Sequence, residues 1–336
     1  MTLTRDRANW FSFVNNERNA NAVWLAGLRA LGGLQLNRYR YPRLYVEGLD
    51  AATQIYSVWY DSQSSQRNLR ITGFQATGPR NTDTNATSPI TGDTDVIQPS
   101  IIVPGTEGGA SSQFFDFSVV GSATAADHRV AIVYYNESDS SLRLRYAVNP
   151  LDNNVLDDNS VWNERIIEPP GSFAGTYVSV TTDGTDLYLA YHDSANANLK
   201  FATIRGSDWN EINRYTLDAY LSTGTWTNIT LIDGLPHVSY FSPSYNGTRD
   251  SIRLAYPIAS GGQTAQQNVE SHGVLSGGAS EEFSGTWEVT AVPTITVPEG
   301  GRDQFNRTHI DRYGAPDRPV VAWLADRIEY ARLLND

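Results

Sequence analysis

Apolar and polar side chains alternate along this chain in short runs, each ended by a polar turn. In "DLYLAYHDSANANLKFATI" (186–204) the alternation runs, breaks and resumes, which predicts two antiparallel strands joined by a turn. The unit recurs. Its first strand reads "FSFVN" (11–15), "SVWYD" (57–61), "IVYYN" (132–136), "LAYHD" (189–193), "VSYFS" (238–242) and "VAWLA" (321–325). The third position is aromatic in all six: Phe13, Trp59, Tyr134, Tyr191, Tyr240 and Trp323. The fifth is Asp, Asn or Ser in five of them, Asp61 and Asp193 included. The second strand reads "VWLA" (23–26), "LRIT" (69–72), "LRYA" (144–147), "LKFA" (199–202), "IRLA" (252–255) and "IEYA" (328–331).

Repetition at one structural position assigns the aromatics to packing between stacked sheets and the acids to turn caps, through side-chain hydrogen bonds to nearby backbone. Upstream elements recur more loosely, often with a tryptophan, as in "VWNERIIE" (161–168), "DWNEINRY" (208–215) and "GTWEVTAV" (285–292). Between 161 and 204 the pattern predicts four strands in sequence. A repeated four-stranded antiparallel unit predicts an all-β fold, a β-propeller, in which each small sheet covers its neighbour. The expected organisation is one domain over 1–336 with six blades, five complete and one partial at the N-terminal side. Their bounds are 1–30 (partial), 31–75, 96–150, 160–205, 206–258 and 284–336. Gly-, Ser- and Thr-rich stretches at 76–95 and 260–283 read as long loops.

The phrases "W…DG…PHVSY…IRLAY" resemble the repeats of bacterial secreted β-propeller proteins, over nearly the whole chain. That resemblance implies blades and leaves the activity open, because one fold serves many functions. It also implies an extracellular or cell-surface setting. The start, "MTLTRDRANWFSF", lacks the basic-then-apolar pattern of a secretion signal, so a processed or excised segment is expected.

Composition narrows the chemistry. The 336 residues contain no cysteine, which removes disulfides, thiolate catalysis and cysteine-bound zinc. A net charge of −12 disfavours nucleic acid and anionic lipid, and no apolar run reaches the ~18 residues that cross a bilayer. No nucleic-acid partner and no membrane insertion are therefore expected. Eighteen tyrosines and eight tryptophans fit strands. Lys200 is the only lysine among 25 basic residues.

Candidate sites are few. "YRYP" (39–42) is similar to the aromatic–Arg–Ile/Leu–Pro phrase of sialidases, a likeness that would make Arg40 the first of three carboxylate-binding arginines. Arg249, Arg302 and Arg307 could complete such a set, beside a Tyr nucleophile activated by a Glu, but no spacing singles them out. "STGTWTN" and "FSGTWEV" keep only the Gly-Thr-Trp end of the Asp-box repeat. Arg40 reads equally well as an exposed residue beside a strand-entry proline. A five-bladed glycoside hydrolase would need two or three carboxylates at one end of the channel, and the sequence selects none among 37 acids. Asp152, Asp157 and Asp158 offer oxygen ligands for structural calcium, although solvated turns explain them as well; no other cofactor is implied. The five histidines show no metal-ligand spacing.

With no catalytic set above background, the sequence is read as a non-catalytic recognition or scaffold module that holds a protein or carbohydrate at a loop face. A sialidase-type glycoside hydrolase is the alternative, and a structural domain of a larger surface protein the third reading.

Overall fold

Among the described residues the predicted alternations form strands, and the strands join into antiparallel sheets in which sequence neighbours pair. The computed structural model describes residues 39–47, 54–62, 67–75, 96–97, 101–107, 111–121, 128–148, 161–219, 223–242, 251–257, 287–291, 308–313, 318–324 and 328–332. The first sheet contains β1 (Tyr39–Glu47), β2 (Gln54–Asp61) and β3 (Asn68–Gln75), with the short β4 (Val96–Ile97) and β5 (Ile101–Ile102) both on β3. The second is β6 (Ser111–Val120), β7 (Arg129–Asn136), β8 (Ser141–Val148) and β9 (Trp162–Glu168). The third is β10 (Ala174–Thr182), β11 (Leu187–Asp193), β12 (Asn198–Arg205) and β13 (Glu211–Asp218). The fourth is β14 (Thr225–Ile232), β15 (Leu235–Ser242), β16 (Ser251–Pro257) and β17 (Trp287–Ala291). The fifth is β18 (Thr308–Tyr313), β19 (Arg318–Leu324) and β20 (Ile328–Arg332).

The fold class is thus the one predicted, all-β and built of antiparallel blades of the β-propeller kind, three of the five described sheets being four-stranded. The first predicted hairpin, with Phe13, and the loops at 76–95 and 260–283 lie outside the described residues, as do Asp152, Asp157 and Asp158. Two units are distinguishable. Met1–Gln113, Gly121–Val130 and Tyr146–Asn163 form one; Phe114–Val120, Ala131–Arg145 and Glu164–Asp336 form the other.

In the first unit Val58, Leu69 and Ile71 are fully buried. Tyr56 shares a 2.9 Å hydrogen bond with Nε2 of the buried His128. Thr106, also fully buried, accepts the Leu69 amide at 3.1 Å and donates to the Val103 carbonyl at 2.7 Å, tying the chain before β6 to β3.

In the second unit a core of Tyr188, Leu199, Phe201, Tyr215, Ile229, Val238, Tyr240 and Trp287 fills the space between the third and fourth sheets. Phe201 meets Trp287 with ring centroids 5.0 Å apart. Burying these side chains contributes about 2 kcal/mol each, the main favourable term.

The repeated aromatics carry more than packing. Tyr191 lies opposite Lys200 in the β11–β12 register, and its hydroxyl donates at 2.7 Å to Glu168, which ends β9 of the preceding sheet. Lys200 pairs with the same carboxylate. One sheet later Tyr240 lies opposite Arg253, its hydroxyl donates to Asp218 at 2.6 Å, and Arg253 meets the same oxygen at 3.2 Å. Asp218 ends β13, again the last strand of the preceding sheet. A carboxylate from one sheet is therefore held by a tyrosine and a cation of the next, twice over. Burial and the adjacent carboxylate push both phenols well above their ordinary pKa. Asp193, at the fifth position, accepts the amides of Ala195 and Asn196, each at 3.1 Å, and so caps its turn.

Removing the carboxylate should hurt more than removing the hydroxyl, because a buried cation is then stranded. D218A is expected to lose about 3–5 kcal/mol in urea denaturation, and Y240F about 1–3 kcal/mol.

Candidate functional site

The leading strands of successive sheets, β6, β10, β14 and β18, lie side by side but do not form a backbone ladder. Polar side chains bridge the gap, at one recurring position above all. Asp116 on β6 accepts the Ser179 hydroxyl at 3.1 Å and the Val180 amide at 3.0 Å, both on β10. Ser179 in turn accepts the Ile229 amide of β14 at 3.3 Å. Asn228 accepts the Ile310 amide of β18 at 3.0 Å. Asp116, Ser179 and Asn228 are thus equivalent positions, and Asp116 is the acidic member.

Two residues before each of these is an aromatic: Phe114, Tyr177 and Trp226. All three are half-buried, and their rings meet in a row. Centroids are 4.6 Å apart for Phe114–Tyr177 and 4.8 Å for Tyr177–Trp226, each pair tilted by 56°. Tyr177 and Trp226 both have φ +53, the left-handed region that bulky residues avoid. The strand register breaks at the same places, between Thr176 and Ser179 and between Thr225 and Asn228. These bulges turn the two rings out of the regular alternation.

Glycines make the bulges possible. Gly175 has φ +126 and Gly224 φ +93, and each enters its strand against the preceding sheet. A Cβ on Gly224 would lie 2.7 Å from Leu199 Cα, and one on Gly175 would lie 2.8 Å from Leu142 Cβ. Thr227 then donates to the Tyr177 carbonyl, linking the two bulges. His192 supports the Tyr177 ring. Its Nδ1 lies 2.8 Å from the Thr223 carbonyl and therefore carries the proton, and its ring sits edge-on to Tyr177 at 6.2 Å. Burial holds its pKa below the ordinary histidine value.

The sequence-predicted site residues fall elsewhere. Arg40 lies on β1; Arg249, Arg302 and Arg307 lie outside the described residues. The Tyr191–Glu168 pair, which has the residue types of a sialidase nucleophile, is sealed between sheets with Tyr191 0 % exposed, so no substrate reaches it. Trp59, Tyr134, Tyr191 and Tyr240 are buried; Trp323 lies on β19. The two Gly-Thr-Trp phrases also part company: Trp226 is in the aromatic row, whereas Trp287 is fully buried on the last strand of its sheet. The signal missed was "GTY" (175–177) beside "GTW" (224–226), a glycine-led aromatic at the start of two leading strands.

No protein-family model and no curated protein sequence matches this chain. Among solved structures it is similar to 1,3Gal43A, an exo-β-1,3-galactanase from Clostridium thermocellum, at 10% identity and a TM-score of 0.43, covering 87% of this chain. It is similar to a bifunctional GH43-CE protein of Bacteroides eggerthii at 8% identity and 0.40, over 87% of this chain. A GH43 endo-arabinanase from Bacillus licheniformis gives 12% identity and 0.38, over 89% of this chain and 95% of the arabinanase. This chain spans 59% of the galactanase and 33% of the bifunctional protein. The expectation of a non-catalytic recognition or scaffold module is corrected at this point: the solved structures just named are an exo-β-1,3-galactanase, a bifunctional GH43-CE protein and an endo-arabinanase.

Two outcomes follow from this geometry. G224A should destabilise by about 2 kcal/mol more than G234A, since Gly234 shares the positive φ but a Cβ there meets nothing within 4 Å; thermal melts and near-UV circular dichroism measure both. Stability should also fall with pH. Buried His192 and His237 both have lowered values, so their unfolded forms bind protons first and stability drops as pH falls below about 6.5. H192Q should flatten part of that slope in melts from pH 8 to 5.

Proposed function

We propose that this protein is a glycoside hydrolase whose substrate packs on the Phe114–Tyr177–Trp226 row. The observation that supports this most is the backbone conformation of Tyr177 and Trp226. A non-glycine residue at φ +53 costs about 1–3 kcal/mol, and two neighbouring strands bear that cost at equivalent positions to keep large rings half exposed. Trp209, at φ +49, bears the same strain while fully buried, so what sets Tyr177 and Trp226 apart is that their strained positions leave the rings half exposed and in a row. The C–H faces of a pyranose or furanose ring complement an aromatic face, while the sugar hydroxyls remain free for polar groups at its edge.

Glycoside hydrolysis needs two carboxyl groups, one to protonate the leaving oxygen and one to serve as base or nucleophile. Asp116 is the candidate for one of them. It is half-buried, two residues from Phe114 on the same strand, and oriented by the hydrogen bonds from Ser179 and Val180. A carbohydrate is the proposed partner, and an extracellular or cell-surface setting suits a polymer too large to enter a cell. With a net charge of −12, neutral glycans are favoured over polyanions.

Incubation with a panel including arabinan, β-1,3-galactan, xylan and a fluorogenic sialoside should release reducing sugar from a neutral polymer. D116N keeps an oxygen for the Val180 amide and should still fold, yet lose about 10²-fold or more in kcat. W226A should instead raise KM. Full activity in D116N, or no turnover anywhere on the panel, overturns the reading.

A further inference from the structure

The loop that delivers the chain from β9 into β10, "EPPGSFA" (168–174), holds an aromatic that no packing explains. Phe173 is 52 % exposed, the most exposed of the large apolar residues described. A single exposed phenylalanine is ordinary on a protein surface. This one also has φ +55, so its backbone is strained in the same sense as Tyr177, four residues on.

The loop around it is pinned. The Gly171 amide donates to the Asp139 carbonyl at 2.7 Å and the Phe173 amide to the Ser140 carbonyl at 3.1 Å, both in the β7–β8 turn. The Ser172 amide returns to Pro169 at 3.1 Å, and the Ser172 hydroxyl reaches the Ser140 carbonyl at 3.2 Å. The Phe173 carbonyl accepts the Ser194 amide at 3.0 Å, from the β11–β12 turn. Pro169 and Pro170 stiffen the entry. Backbone from two turns thus fixes a ring that buries less than half of its own surface. Such an arrangement lowers the entropy cost of a later contact rather than stabilising the free fold.

Position supplies the occupant. Ala174 pairs with Asp193 where β10 begins, so the loop sits at the strand end that carries the bulge and Tyr177. From Ser172 to Thr176 the chain carries no charged side chain. We infer that Phe173 is an outer subsite for a neutral glycan chain, stacking on a sugar unit beyond those held by the Tyr177–Trp226 row. This inference rests on the reading of that row as the glycan site. It gives the substrate class: extended oligosaccharides or polymers, in preference to single sugars or disaccharides.

The test uses the full chain and ladders of two to six units from the arabino-, xylo-, cello- and β-1,3-galacto- series. Calorimetric binding and kcat/KM are measured for wild type, F173A and F173W, with melting temperature as the folding control. Wild type should gain with length on at least one ladder. F173A should lose about three- to tenfold on the longest members and nothing on the shortest, while F173W retains the length dependence. Equal loss at every length, or no loss at any, overturns the outer subsite. If wild type neither binds nor cleaves any ladder, the glycan site itself falls, a result visible before any variant is made.

Discussion

The contact on which the second unit depends is a carboxylate that one sheet surrenders to the next. Glu168 and Asp218 each end the last strand of a sheet, and each is received by a tyrosine hydroxyl and a cation on the following two-strand hairpin. Small antiparallel sheets meeting face to face could slide along their apolar surfaces, since the hydrophobic effect has no direction. A buried charge that must find both its partners does have one. The clamp therefore sets the position of neighbouring sheets, while Phe201, Tyr215 and Trp287 supply the bulk of the burial.

That placement brings leading strands close without letting them pair. The row of Asp116, Ser179 and Asn228 is the outcome: one polar side chain per strand takes an amide from the next strand that would otherwise go unsatisfied. Just ahead of it the backbone bulges, and the glycines at 175 and 224 lie so close to the preceding sheet that no other residue fits. Strain at Tyr177 and Trp226 is tolerated because the flanking hydrogen bonds hold the conformation. Rigidity in the clamp and exposure at the strand starts are thus two parts of one arrangement.

Much of this was legible beforehand, for a physical reason. Strand alternation has a period of two and shows wherever one face is buried, so the hairpins over 189–202 and 238–255 could be read residue by residue. The aromatic third position was visible as a repeat, but its hydroxyl partners were not, because Glu168 and Asp218 belong to the preceding sheet and lie 22 or more residues away in sequence. The bulged rings were harder still. A bulge breaks the alternation that makes a strand recognisable, so "GTYVSV" (175–180) and "GTWTNI" (224–229) read as ordinary strand starts, with a stray Gly-Thr-Trp taken for the remnant of another repeat.

Lys200 was noted as the one lysine in a chain otherwise served by arginine, and it stands within a clamp, against Glu168. Arginine does not acylate under conditions where a free ε-amine does. An amine-directed reagent thus meets a single side-chain target in this sequence, and that target stands in an ion pair with the preceding sheet. A label placed there would sit at the seam between two of the sheets.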